Sequence, residues 1–235
     1  METVLPLAGA GFALGWPIEW LIQRFPRGEG TAPSARRRWY VAAATAALFA
    51  VIALRIGLHP RLAPALLLTA LIVPASVIDL RLRIIPDLIN LPGAVLVFLA
   101  AVAAQPDRWL ELLIGGFAAA LFLGIAWLVY PAGMGLGDVK MVLMIGLALG
   151  KYVGVAMFAA FALSTVFSIG LLVAKGLGGR KATFPFGPFL ALGALVAITA
   201  ASGFVAPWAA VVIGLVSGFI AVAGVLGVVG LSFRR

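Results

Sequence analysis

The chain has 235 residues, 64% of them hydrophobic and 11% charged, with a formal net charge of +9, one histidine and no cysteine. So apolar a composition excludes a solvated surface over most of the length, and the missing cysteines exclude disulfides, thiolate metal sites and cysteine nucleophiles. His59 alone cannot build a histidine metal site, and the basic residues fall in loops between apolar runs, where they meet membrane lipid; no nucleic-acid partner is expected.

Apolar runs of about 20 residues suffice to cross a bilayer as helices. They recur along the chain and predict an all-α polytopic membrane protein of about eight to nine transmembrane helices, in a single domain over residues 1–235. The first span is 4–22. Its bases, Arg24 and Arg27, follow the apolar run instead of preceding it, so it reads as a retained anchor and not a signal peptide. Glu19 lies about one turn before Arg24 and is expected to pair with it. Residues 23–38, with Gly28, Gly30, Pro33 and Arg36 to Arg38, form a short solvated loop. Spans 39–57 and 62–80 follow, and the third carries Asp79 near its end. After Pro86, Asp87 is expected to cap the span 88–104. The fifth span is 110–130. The sixth, 139–150 extended by flanking residues, is short and separated from 152–174 only by Gly150 and Lys151; a broken or tilted pair is expected, since one helix of that length would overshoot the bilayer. The segment Phe184-Pro185-Phe186-Gly187-Pro188 opens the span 186–204, and 207–231 is a ninth. Small-residue spacings such as Gly214 to Gly218 and Gly224 to Gly227 suit helix packing. Trp39, Tyr40, Trp109, Tyr130, Tyr152 and Trp208 stand at span ends, as interfacial anchors do.

Loops 23–38, 81–87, 131–140 and 175–185 and the C-terminus hold thirteen of the seventeen Lys and Arg residues; the opposite side has only Arg55, Arg61, Arg108 and Lys151. The positive-inside rule then puts the thirteen in the cytoplasm, the N-terminus outside and the C-terminus inside. Two polar islands share the cytoplasmic face: Ile78-Asp79 through Ile85-Pro86-Asp87, and Gly133-Met134-Gly135-Leu136-Gly137-Asp138-Val139-Lys140. Three of the eight carboxylates lie in them, and acids near lipid are costly enough to be functional candidates by default. Asp79 and Asp138 are expected at matching depth. If helix packing brings them together, they should share a proton, so that one takes a proton from water while the other polarises a carbonyl. Gly133, Gly135 and Gly137 would let the backbone approach an extended peptide. Taken singly, Asp138 reads first as a helix cap, Asp79 reads also as a partner for Arg81 or Arg83, and Lys140 as a support for a carboxylate or substrate carbonyl or equally as an interface marker.

These islands resemble the type IV prepilin peptidase family of GxGD aspartic proteases. Gly15-Trp16-Pro17-Ile18-Glu19 through Arg24-Phe25-Pro26 is similar to the family's N-terminal stretch, with Glu19 where Asn is usual, and Pro185-Phe186-Gly187-Pro188 to its late Pro-Phe-Gly-Pro segment. The resemblance covers roughly residues 10–200. It implies that Asp79 and Asp138 are the catalytic pair, with Gly135, Gly137, Lys140, Pro86, Asp87, Pro185 and Gly187 supporting them or binding substrate. It also implies a bacterial inner-membrane location and prepilin or pseudopilin substrates, cut at the cytoplasmic face behind a short basic leader. No metal or cofactor is implied for proteolysis. Many members carry two Cys-x-x-Cys pairs for zinc and N-methylate the product with S-adenosylmethionine. This chain has neither those cysteines nor the larger loop, so no zinc is expected, and S-adenosylmethionine only if methylation is retained. The ninth span is extra relative to the usual eight. The rival from another class is a small proton- or cation-coupled transporter using the same aspartates, which predicts acids near the midplane and an internal repeat. Neither is visible. A retired family member serving as a scaffold would not need both islands intact.

Overall fold

In the computed structural model the described residues are 4–24, 35–129, 131, 134–175 and 184–202. Almost all of them are helical, with no strand among them. The helices are α1 (Val4–Arg24), α2 (Ala35–Ile56), α3 (Leu62–Leu82), α4 (Asp87–Ala104), α5 (Trp109–Val129), α6 (Leu136–Leu149), α7 (Val153–Lys175) and α8 (Gly187–Ala201). Tight 3₁₀ turns at Pro106–Arg108 and Gly150–Tyr152 join α4 to α5 and α6 to α7. Among the described residues five helical stretches are long and apolar enough to cross a membrane, the last running from Leu136 through the α6–α7 turn to Leu171. The chain is an all-α polytopic membrane protein.

The expected spans agree with these helices within a few residues. The largest differences are at α2, which begins four residues early at Ala35 and so takes Arg36 to Arg38 out of the expected loop, and at α6, which begins at Leu136 because Gly135, and not Asp138, stands at its N-cap. The expected break after α6 falls at Gly150, whose φ of +60° ends the helix. The ninth span and its glycines, Gly133, Tyr130, Trp208, the loop glycines Gly28 and Gly30, Pro33, and the side chains of Glu19 and Arg24 lie outside the described residues.

Membrane helices gain little from burying apolar surface against each other, because lipid is equally apolar; close van der Waals contact has to hold them. Small residues provide it here. A Cβ on Gly146 would fall 2.6 Å from Gly116 Cα, one on Gly15 2.3 Å from Ala42 Cα, and one on Gly193 2.1 Å from the Ala156 carbonyl oxygen. These pairings join α5 to α6, α1 to α2 and α7 to α8, and their order along the chain makes each pair antiparallel. Leu68, Ile72 and Ile78 of α3 meet Met141, Met144 and Ile145 of α6 and Leu190 and Ile198 of α8 in the core. Among the spanning helices α3 is the most enclosed and α5 the least, so Phe117, Leu121 and Ile125 of α5 are left exposed as lipid would require. One end of the bundle therefore collects the end of α3 and the starts of α4, α6 and α8. Both polar islands are there.

Candidate active site

Asp79 sits in the last turn of α3 and is only 5% exposed. The helix closes at Arg83, which takes a left-handed conformation (φ 55°) and donates its backbone N–H to the Asp79 carbonyl at 2.8 Å. The chain then passes through Ile85 and Pro86, both buried, into α4. On the side chain, Oδ2 accepts a hydrogen bond from the backbone N–H of Gly187 at 2.9 Å. A Cβ at Gly187 would lie 2.6 Å from that oxygen and 3.0 Å from Ile85 Cδ1, so no larger residue fits without displacing the carboxylate. The segment that presents Gly187 is held by aromatic contacts: Phe184 and Phe189 each pack on Phe167 of α7 with centroids 5.5 Å apart, and Phe186 packs on Phe161 at 5.5 Å. Pro185 is half-buried between the two phenylalanines that anchor it, and Pro188 occupies the first turn of α8, where its missing N–H costs nothing.

Asp138 is the third residue of α6 and is 7% exposed. Its Oδ2 accepts from the Gly135 N–H at 3.1 Å while its own N–H donates to the Gly135 carbonyl, also at 3.1 Å. Asp138 is therefore not the N-cap; as the third helical residue its Oδ2 reaches back to the N-cap N–H, the acidic half of a capping box. The other oxygen, Oδ1, is buried with no hydrogen-bond partner. Leaving a buried acceptor unsatisfied costs about 1–3 kcal/mol, more for a charged group, and a cap alone would not require it. Gly137, just before Asp138, accepts at its carbonyl from Asn90 Nδ2 at 3.2 Å, and a Cβ there would be 3.0 Å from Ile85 Cβ. Ile85 therefore lies against both Gly137, which precedes Asp138, and Gly187, which holds Asp79. Through Ile85 the two aspartates are brought to the same end of the bundle.

Asp87 is not the cap of α4. Pro86 takes the N-cap position without any side-chain bond, and Asp87 is the first helical residue. Both its oxygens lie 2.7 Å from Lys140 Nζ, so Lys140 steadies a carboxylate outside the buried pair. This ion pair is largely solvated and contributes about 0–1 kcal/mol, but it ties the first island to the second. Asn90 escaped the sequence reading. It is wholly buried in α4, and beyond its bond to Gly137 its Oδ1 has no partner. A polar side chain one turn after Asp87 in an otherwise apolar span was the available signal. Of the expected site residues, Asp79, Asp138, Gly135, Gly137, Gly187, Pro86 and Pro185 converge on this end of the bundle, with Asp87 and Lys140 at its solvated edge. Among the described residues, no three of His, Cys, Asp and Glu group as metal ligands would.

Residues 65–172 match the model of the type IV leader peptidase family. The chain is similar to the prepilin leader peptidase/N-methyltransferase of Bacillus subtilis (strain 168), 29% identical over 65% of this chain and 62% of that protein. It is also similar to proteins of the same name from Aeromonas salmonicida (strain A449), 31% identical over 66% of this chain and 55% of that one, and Myxococcus xanthus (strain DK1622), 32% identical over 73% and 54%. The matches span about three-fifths or somewhat more than half of these curated relatives. No solved structure matches.

Proposed function

We propose, from the match of residues 65–172 to the type IV leader peptidase family model, that the chain is a membrane aspartic endopeptidase removing the short basic leader of type IV prepilins or pseudopilins. The observation that carries the reading is the burial of Asp79 and Asp138 at one end of the bundle, far apart in sequence, with Asp138 Oδ1 unbonded. In this mechanism a water lies between the two carboxylates. The ionised member takes its proton as it attacks the scissile carbonyl, and the protonated member donates to the carbonyl oxygen, giving a neutral tetrahedral intermediate. Collapse breaks the C–N bond as the proton taken from water passes to the departing amine and a hydroxyl proton of the intermediate returns to the other carboxylate, which restores the dyad. The Gly187 and Gly135 N–H groups each fix one carboxylate oxygen, which leaves the other oxygen of each acid for this exchange. Proton transfer of this kind contributes about 10²–10⁴-fold.

The side of the membrane follows from charge. Arg81, Arg83 and Lys140 lie at the aspartate end, in the set of loops that carries thirteen of the seventeen bases, which favours the cytoplasmic face of a bacterial inner membrane with the N-terminus outside. Aspartates at helix ends also favour peptide cleavage at the interface over a midplane transport site. N-methylation, the second activity in the relatives' names, forms no part of this reading: it would draw on S-adenosylmethionine, and the cysteines that accompany it in the resembling family are absent. The test is co-expression with a prepilin carrying a C-terminal tag. The expected product is shorter by the leader and has an unmodified N-terminus by mass spectrometry. An uncut prepilin in membranes that contain the folded protein would reject the peptidase, and a methylated N-terminus dependent on this protein would restore the second activity.

A further inference from the structure

At the opposite end of the bundle, the ends of α2, α4, α6 and α8 and the starts of α3 and α5 enclose a cavity of about 120 Å³. The stretch from Arg61 to Asp79 runs roughly 27 Å at 1.5 Å per residue, close to the hydrocarbon thickness of a bilayer, about 30 Å. The cavity thus lies one membrane thickness from the aspartates, at headgroup level in the other leaflet. The exposed Trp109 beside it, at the start of α5, fits that depth.

The polar lining is rich in donors: His59, Arg61, Gln105, Arg108, Tyr152 and Ser202. Arg108 has an internal counterion, since its guanidinium forms a two-pronged pair with Glu111 at 2.6 and 3.2 Å. Arg61 does not. Its Nη1 donates to the Ala201 carbonyl at 3.0 Å, its Nε–H is buried without an acceptor, and no carboxylate pairs with it among the described residues. His59 Nδ1 accepts the Arg61 backbone N–H at 3.3 Å, which assigns the imidazole proton to Nε2 and leaves that N–H to donate. Arg61 is also the N-cap of α3 and makes no side-chain cap bond, so the positive end of the helix dipole adds to its charge.

A cationic donor buried without an acceptor is costly, and an anionic oxygen would satisfy both charge and hydrogen bond. A single water needs about 10–15 Å³ of such volume, so a phosphate group has room. We propose that this cavity binds a phosphate group on Arg61 and His59, and that the group is the headgroup phosphate of a phospholipid in the leaflet opposite the aspartates. The site is independent of the peptidase reading.

Native mass spectrometry of the full chain in a neutral maltoside detergent tests this with three probes: dioleoyl phosphatidylglycerol, dioleoylglycerol and inorganic phosphate. The wild type is expected to retain phosphatidylglycerol at least tenfold more tightly than dioleoylglycerol. Arg61→Gln should erase the difference. His59→Ala, at an exposed position that tolerates truncation, should weaken it severalfold and keeps the test valid if the arginine variant does not fold. Displacement of the lipid by millimolar inorganic phosphate would confirm the phosphate site while naming the free anion as an occupant. Equal retention of the two lipids by the wild type, or unchanged preference in both variants, would overturn the proposal.

Discussion

Each aspartate has one oxygen tied to a backbone N–H from a glycine, and at Gly187 the glycine is there for space. At Gly187 the nearest atom a side chain would meet is the Asp79 carboxylate itself, so Gly187→Ala must push that carboxylate, the Ile85 side chain or the start of α8. Overpacking of this kind costs about 1–3 kcal/mol. We expect cleavage to fall at least tenfold while the variant still elutes as a folded species on size-exclusion chromatography in detergent. Asn90→Ala removes the bond that holds the Gly137 carbonyl without adding bulk at this buried position. It should lower kcat by about tenfold with KM little changed, because the start of α6, and with it Asp138, loses its fixed position. Asp79, Asp138 and the Pro-Phe-Gly-Pro segment could be read from the sequence because charge and proline are conspicuous in an apolar chain. Asn90 is neutral and was lost among its apolar neighbours. The cap at Asp87 was assigned one position too far along because Pro86 and Asp87 both suit a helix start, and only the backbone decides which residue comes first in the helix.

Among the helices, span ends were legible to within a few residues, since loops with Gly, Pro and bases punctuate the apolar runs. Which helices touch was not. Helices apolar on all sides carry no stripe to mark the inward face, and the glycines singled out from sequence were in the ninth span. Close contacts among the described residues are elsewhere: at Gly115, Gly116, Gly146 and Gly150 between α5 and the end of α6 with its turn, at Gly15 between α1 and α2, and at Gly193 between α7 and α8. Gly146→Leu should therefore separate α5 from α6. Thermal unfolding in detergent is expected to show a midpoint lowered by several degrees, consistent with a cost of about 1–3 kcal/mol or more. At the solvated edge, a double-mutant cycle of Asp87→Ala and Lys140→Met should give a coupling no larger than about 1 kcal/mol, because the pair is screened by water. A larger coupling would mean that the pair closes over the site when substrate binds.

For the whole molecule, the account depends on two ends with different chemistry: buried acids at one, a donor-lined cavity at the other. In the proposed topology the acids face the cytoplasm. Reporter fusions after Arg83 should accordingly be active as cytoplasmic enzymes, and fusions within Gly57–Pro60 as external ones; the reverse pattern would invert the topology and separate the aspartates from the side where prepilin leaders reside. The central claim is that Asp79 and Asp138 act together on one water, and paired removal of each charge tests it most directly. With prepilin and enzyme in the same membranes, initial rates of leader removal should fall by about 10³-fold or more for Asp79→Asn and for Asp138→Asn alone, and the double variant should be no worse than either single one. Cleavage at near wild-type rate by either folded single variant would contradict it.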